Sequence, residues 1–137
     1  MNDTIYALAT PLGNGVAVIR ISGPKSESAV CALFSKKAGF ESHRLYHGLI
    51  LNGEQPVDDA MAVIMRAPKS YTGEDSAELH IHGSPAIAKK VLELLSRLGL
   101  RLAEPGEFTR RAFENGKLEL SQAEAVMDLV CAASAWE

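Results

Sequence analysis

The sequence predicts an α+β domain: a mixed, mainly antiparallel sheet with helices packed on one side. Gly15–Ser22 reads GVAVIRIS, a β-branched run that predicts a strand. Two further apolar stretches flank Asn52-Gly53, a dipeptide typical of hairpin turns. Strands and helices alternate along the chain, but hairpin-like pairs outnumber strand–helix–strand crossovers. This pattern favours antiparallel pairing and an α+β class.

The other elements follow from local start and stop signals. Ser84-Pro85 supplies a cap and a proline at the first helical position, and Gly99 is placed to end that helix in a left-handed conformation. Ser121 with Glu124 predicts a capping box for a last helix. Strands are therefore predicted at 4–9, 15–22, 44–51, 57–67, 77–82 and 101–103, and helices at 24–37, 85–98, 106–114 and from 121 onward.

Composition indicates a soluble globular domain. The chain has 137 residues, of which 47% are hydrophobic and 23% charged, close to the average for such domains. No apolar run approaches the roughly 18 residues of a membrane span, and the first residues do not resemble a secretory leader. We therefore expect a cytoplasmic protein without a membrane anchor, in which Cys31 and Cys131 are buried, reduced thiols.

The charge balance argues against a primary nucleic-acid surface. The net charge is −3, whereas surfaces that follow phosphates usually carry a basic excess. The pairs Lys36-Lys37, Lys89-Lys90 and Arg110-Arg111 are separate in sequence. We interpret them as solvated helix faces.

The most informative segment is Tyr71–Gly83, YTGEDSAELHIHG. Side chains alternate along a strand, so Glu78, His80 and His82 share one face while the intervening residues are apolar. A strand with this polar face predicts a specific binding surface. One interpretation is a zinc or iron site made by these three side chains. The other is histidines packed at a sheet surface or a subunit interface.

Two cations add to this surface. Arg20 interrupts an otherwise apolar strand, where a guanidinium needs a carboxylate, an anionic ligand or a route to water. Lys117 follows the Asn115-Gly116 turn and could add a cation at the mouth of the same pocket. No P-loop pattern GxxxxGK[ST] occurs, so this chain is not expected to bind a nucleoside triphosphate in that way.

Three sequence blocks together resemble one family. DTIYALATP…GVAVIRISGP at 3–24, YTGED…ELHIHG at 71–83 and PGEFTRRAFENGKLELSQAEAV at 105–126 are similar to the N-terminal domain of the MnmE (TrmE) family of bacterial tRNA-modification GTPases. The resemblance extends from about residue 3 to 130. It implies a fold similar to the tetrahydrofolate-binding domains of aminomethyltransferases, and a homodimer formed through this domain.

The resemblance also implies a ligand and partners. The family binds a 5-formyl-tetrahydrofolate-like carrier, and its folate contacts fall on Arg20, Glu78 and Lys117 of this sequence. The whole protein, with a flavoprotein partner, installs a carboxymethylaminomethyl-type group on carbon 5 of the wobble uridine of certain tRNAs. GTP, potassium and magnesium belong to a separate GTPase domain.

That GTPase domain and the family's C-terminal cysteine motif are not in this sequence. We expect residues 1–119 to form the folate-binding and dimerisation domain and 120–137 to begin a helical domain cut short. The chain alone is then not expected to hydrolyse GTP or modify tRNA. Two alternatives stay open: a stand-alone folate-dependent one-carbon transferase subunit, and a metal enzyme using Glu78, His80 and His82.

Overall fold

The computed structural model describes the backbone of residues 3–13 and 15–135 and the side chains of residues 3–13 and 15–129. In this part of the chain, six strands form one sheet accompanied by four helices. The strands are β1 (Ile5–Leu8), β2 (Val16–Ser22), β3 (Leu45–Asn52), β4 (Gln55–Met65), β5 (Ser76–His82) and β6 (Arg101–Leu102). The helices are α1 (Ser26–Leu33), α2 (Pro85–Arg97), α3 (Glu107–Glu114) and α4 (Leu120–Ala135). The predicted α+β class is confirmed.

The strand order across the sheet is β3-β4-β5-β2-β1-β6. Neighbouring strands are antiparallel except β1 and β6, which are parallel. The sheet is therefore mixed and mainly antiparallel, as predicted. The hairpin of β3 and β4 turns at Gly53, whose φ of 64° requires the left-handed conformation that glycine adopts without strain.

One face of the sheet packs against α1 and α2 and forms the core. Alternate residues of the central strands point to this face because side chains on a strand have a period of two. The buried side chains from β2, β4 and β5 are Ala17, Ile19, Ile21, Ala60, Ala62, Ile64, Ala77, Leu79 and Ile81. They meet the apolar face of α2, where Val91 and Leu95 are fully buried. Burial of these apolar side chains is the main force that holds the helices on the sheet.

Helix α1 is shorter than predicted. It begins at Ser26 rather than Pro24, because Gly23 has a φ of 133° and Ser22 belongs to β2. It ends at Leu33, because Phe34 is extended, fully buried and bridged to Ile50 of β3. Core packing at Phe34 thus ends the helix before the predicted limit at Lys37.

Helix α2 matches its predicted signals closely. Ser84 is the N-cap, and its hydroxyl accepts a hydrogen bond from the Ile87 N–H. Gly99 follows the helix with a φ of 88°, as expected for a left-handed stop.

The last helix does not use the predicted capping box. Helix α4 begins at Leu120, and the Glu119 carbonyl accepts the first helical hydrogen bond, from Ala123 N–H. The Gln122 side chain accepts from the Glu119 N–H, so the cap forms two residues before Ser121. Whether residue 120 also begins a separate domain stays a prediction.

The opposite face of the sheet, here called the polar face, carries Arg20, Glu78 and His80. Helix α3 and the loop 68–74 lie beside one end of it, where Phe108 of α3 and the two charged residues line the same cavity. The rest of the polar face exposes apolar side chains: Val16 is 58% exposed and Leu45 47%. Helices α1 and α2 therefore cover one face, while α3 closes part of the other.

Cys31 is partly buried on α1, and burial raises the pKa of its thiol. Cys131 and Val130 lie outside the described side chains. No helix in the described part of the chain is both long and apolar enough to cross a bilayer.

Candidate functional site

The pairing of β2 with β5 brings together two charged residues that are far apart in sequence. Arg20 is directly opposite Glu78 in the antiparallel register. Arg20 Nε donates a hydrogen bond to Glu78 Oε2 at 3.2 Å. The residues on either side of each, Ile19 and Ile21 on β2 and Ala77 and Leu79 on β5, anchor both strands in the core. The apolar side of each strand thus holds this ion pair on the polar face.

A cavity of about 390 Å³ opens at this ion pair. It is lined by Arg20, Met65, Tyr71, Thr72, Ser76, Glu78 and Phe108. Two charged groups and three hydroxyls are combined with aromatic and thioether walls. A pocket of this kind suits a flat, partly polar ring, because apolar walls contact the ring faces while the polar groups read its edge.

A hydroxyl network connects the strands to the loop 68–74 beside the cavity. Ser22 Oγ lies 2.7 Å from Thr72 Oγ1 and donates to Glu74 Oε1 at 2.8 Å. Thr72 Oγ1 also lies 3.3 Å from Ser76 Oγ. Since Thr72 and Ser76 line the cavity, this network positions two polar groups of its wall.

Helix α3 and the turn that follows hold the same loop through three further side-chain contacts. Arg111 Nη1 donates to Glu74 Oε1 at 3.1 Å. Tyr71 Oη lies 2.9 Å from Thr109 Oγ1. Asn115 Nδ2 donates to the Thr72 carbonyl at 2.8 Å. Residues 105–126, the third block of the family resemblance, therefore contact the cavity largely through the loop 68–74.

The prediction that Arg111 lies on a solvated helix face is wrong. Its side chain is 5% exposed, whereas that of Arg110 is 57% exposed. Arg111 contacts Glu74, Asp3 and Glu107. An i, i+4 spacing of opposite charges, Glu107 to Arg111, was present in the sequence as a signal of pairing on one helix face. The spacing alone could not show that this face is buried.

Burial of these charges is balanced by their mutual contacts. Hydrogen bonding from Arg101 lowers the pKa of Glu107 from 4.5 to about 2, against the opposing effect of burial. Hydrogen bonding from Arg101 likewise lowers the pKa of Asp3 to about 2. Burial would lower the pKa of Arg111, but its bonds to Glu74 and Asp3 outweigh it and raise that pKa. These groups therefore stay charged at neutral pH and link α3 to β6, to the chain before β1 and to the loop 68–74.

Lys117 lies beside the cavity loop and not in the cavity wall. Its Nζ donates to the Pro68 carbonyl at 3.1 Å. Its side chain passes close to Gly73, where a Cβ atom would lie 3.2 Å from Lys117 Cγ. Of the three predicted site residues, the structure thus brings Arg20 and Glu78 into contact and places Lys117 against the same loop.

On β5, Glu78 and His80 contact each other, whereas His82 contacts a residue of another strand. His80 Nε2 lies 3.0 Å from Glu78 Oε1, whereas His82 Nδ1 lies 2.7 Å from Asp58 Oδ1. Within the part of the chain that the structure describes, no group of three His, Cys, Asp or Glu side chains is placed to hold a metal ion. The metal interpretation of Glu78, His80 and His82 therefore gains no support from their geometry.

Sequence reasoning missed most of the cavity wall. Met65, Tyr71 and Phe108 come from a strand end, a loop and a helix. Each is an ordinary residue in its local sequence. Only the tertiary arrangement shows that they share one cavity.

Comparison with known proteins assigns most of the chain to the family that its three sequence blocks resemble. The profile of the family described as "GTP-binding protein TrmE N-terminus" matches residues 4–117. The chain is 50% identical over 136 residues to a protein of Christiangramia forsetii named tRNA modification GTPase MnmE, covering 95% of this chain and 29% of that protein. Proteins of the same name from Nitratidesulfovibrio vulgaris and Lachnoclostridium phytofermentans are 50% and 47% identical, covering 97% and 93% of this chain.

Fold and site together define an α+β domain with a cation and an anion in one part-apolar cavity. The chain belongs to the TrmE N-terminal family. It spans about 30% of the length of the curated relatives it matches.

Proposed function

We propose that the cavity beside Arg20 and Glu78 binds 5-formyl-tetrahydrofolate or a closely related reduced folate. The observation that carries this proposal is the Arg20–Glu78 contact inside a cavity with aromatic walls. Membership in the TrmE N-terminal family, through the resemblance described above, supports the choice of folate among flat, partly polar ligands.

The donor and acceptor groups fit the edge of a pterin ring. A pterin presents an amino group and a ring N–H side by side, and a carboxylate such as Glu78 accepts both. Arg20 uses only Nε toward Glu78, and its Nη groups have no acceptor among the described residues. They are therefore available to a ring carbonyl or the formyl oxygen. Tyr71 and Phe108 supply apolar surface for the ring faces.

The size of the cavity suggests how a folate would be divided. About 390 Å³ is near the lower end of the range for small-molecule pockets, roughly 300–1,000 Å³. The pterin would occupy the cavity, and the longer tail would extend past the loop 68–74. Lys117, which contacts that loop at the Pro68 carbonyl, is the proposed partner for the formyl group or a tail carboxylate. The bound folate would supply the one-carbon unit.

Calorimetric titration with 5-formyl-tetrahydrofolate tests the ligand assignment. Glu78→Gln and Arg20→Met are expected to weaken binding by about tenfold or more, since each removes a charged hydrogen-bonding partner worth about 1.5–3 kcal/mol. Lys117→Met is expected to weaken binding less, because its present contact is at an exposed site. Glu114→Gln and Arg97→Met, whose side chains are 61% and 60% exposed, are the matched controls. Wild-type affinity in Glu78→Gln would refute the pterin-edge role.

The chain is further proposed to be the dimerisation module of its parent protein. Val16, Leu45 and Leu49 on the polar face are 58%, 47% and 38% exposed, and a second copy of the chain would shield such residues from water. Light scattering is expected to give a mass near twice 14.7 kDa. Leu45→Asp is expected to shift the protein toward monomer, whereas Leu98→Asp, on the far side of the sheet after α2, is not. A monomeric wild type at 100 µM would contradict the proposal.

The parent protein is proposed to be a cytoplasmic tRNA-modification GTPase, in keeping with the name of its relatives. With a flavoprotein partner it would install a carboxymethylaminomethyl-type group on carbon 5 of the wobble uridine. This sequence has no P-loop pattern. GTP, potassium and magnesium would bind in the GTPase domain of the parent protein. Deletion of the gene for the full-length protein is expected to remove that modification from tRNA, as measured by mass spectrometry of nucleosides. If the full-length gene restores the modification and a gene for these 137 residues does not, the result would support a role of this domain in binding and not in catalysis.

A further inference from the structure

The Glu78 carboxylate has two protein partners, one for each oxygen. Arg20 Nε donates to Oε2 at 3.2 Å, and His80 Nε2 lies 3.0 Å from Oε1. Glu78 and His80 are 21% and 28% exposed, so both contacts are only partly screened by water. His80 itself is not part of the cavity wall. Any influence on a ligand in that cavity must therefore pass through Glu78.

In the contact between His80 and Glu78, the imidazole is the hydrogen-bond donor. An ionised carboxylate can only accept hydrogen bonds, so His80 must carry a proton on Nε2. Residues two apart on a strand lie on the same face, so the backbone of β5 holds the imidazole beside the carboxylate. The neighbours of His80 across the sheet are Val18 and Met61, which offer no competing charge. Asp59 of β4 lines a second cavity together with His80, but its carboxylate is paired with His47, so Glu78 is the carboxylate bonded to the His80 ring.

This contact also affects the Arg20–Glu78 pair. An arginine and a carboxylate prefer two parallel hydrogen bonds, which would use both carboxylate oxygens and part of the guanidinium fork. The structure has a single bond, from Nε to Oε2. His80 at Oε1 and Arg20 at Oε2 hold the carboxylate from both of its oxygens, which fixes its rotation in this singly bonded arrangement. Each oxygen keeps one further lone pair, and the Arg20 Nη groups stay open to the cavity.

We infer that His80 is a positioning residue for ligand binding: its contact with Oε1 fixes the rotation of the Glu78 carboxylate and orients it toward the edge of the ligand ring. The inference rests on the proposed folate function. It assigns to the ELHIH segment a role that neither a metal site nor surface packing provides. His82, which contacts Asp58 instead, has no such role.

Calorimetric titration with 5-formyl-tetrahydrofolate tests this role in wild type and four variants. His80→Leu removes the donor and is expected to weaken binding about tenfold. His80→Gln is expected to bind within about threefold of wild type, because its amide N–H₂ can occupy the position of Nε2 and donate to Glu78. His80→Asn is a second loss variant that keeps a polar side chain but is too short to reach. His82→Leu is the matched control on the same strand and is expected to bind as wild type.

A double-mutant cycle with Glu78→Gln separates positioning from direct contact. If His80 acts through Glu78, adding His80→Leu to Glu78→Gln weakens binding no further. Full additivity, wild-type affinity in both His80→Leu and His80→Asn, or no rescue by His80→Gln would each overturn the inference. If one of these three outcomes occurs while Glu78→Gln still loses binding, the inference about His80 fails but the proposed function stands. Absence of folate binding by the wild type would overturn both proposals.

Discussion

Glu107 offers the sharpest test of how the buried charges stabilise this domain. Its side chain is 1% exposed and accepts hydrogen bonds from Arg101 Nη2 at 2.6 Å, Arg111 Nη2 at 3.2 Å and the Glu104 N–H at 2.9 Å. Replacing it by Gln keeps the shape and removes the charge. Arg101 and Arg111 then lose a shared counter-ion, and for the buried Arg111 this loss is costly.

The size of the effect follows from the pKa of the carboxyl. The pKa of Glu107 falls from 4.5 to about 2 on folding, first because Arg101 hydrogen-bonds to the charged form. At about 1.4 kcal/mol for each pH unit, this difference corresponds to about 3 kcal/mol of unfolding free energy. Because the folded-state pKa is the lower one, this stabilisation is complete above about pH 4.5 and is lost as the pH falls toward 2. Asp3 contributes in the same direction but less, since its carboxylate is 54% exposed and screened by water.

Urea unfolding at pH 7, 4.5 and 3 measures the prediction. Glu107→Gln is expected to be about 3 kcal/mol less stable than wild type at pH 7, with the difference shrinking at pH 3. Glu104→Gln is the control, because the Glu104 side chain is 68% exposed and lies 3.9 Å from Arg110. It is expected to change stability by less than about 0.5 kcal/mol. A loss below about 1 kcal/mol, or one that stays constant with pH, would refute the reasoning.

Two further predictions concern the loop beside the cavity. Arg111→Met is expected to cost about 3–5 kcal/mol of unfolding free energy, because it removes the buried cation that contacts both Glu74 and Glu107. The exposed Arg110→Met is expected to cost less than about 1 kcal/mol, and equal losses in urea unfolding would contradict this. Gly73→Ala is expected to destabilise the loop and weaken folate binding, because Gly73 has a φ of 80° and a Cβ there would lie 3.0 Å from Asn115 Cβ. Gly53→Ala is the control, because Gly53 has a φ of 64° but open space around the position of a Cβ. If both variants changed folate affinity equally, the close approach of residue 73 to Asn115 would play no role.

Helix boundaries were predictable where local chemistry decides them. Helix α2 begins after Ser84 and is followed by Gly99 in the left-handed conformation, and both signals are local. Helix α1 ends early because Phe34 is buried against the sheet, which is a tertiary effect. The last helix starts at a cap formed by Glu119 and Gln122 instead of Ser121 and Glu124. Several capping residues lie close together there, and sequence spacing alone does not choose among them.

The pattern of residues by itself determined the α+β class and the division of β5 into an apolar and a polar side, because the period of a strand is a local property. It also predicted a binding surface that includes Arg20 and Glu78, and this stays a prediction. Only the tertiary structure decided that these two residues pair directly, since the register of β2 against β5 depends on which apolar side chains fill the core. The burial of Arg111, and the loop it holds, depended in the same way on the packing of α3 beside the sheet.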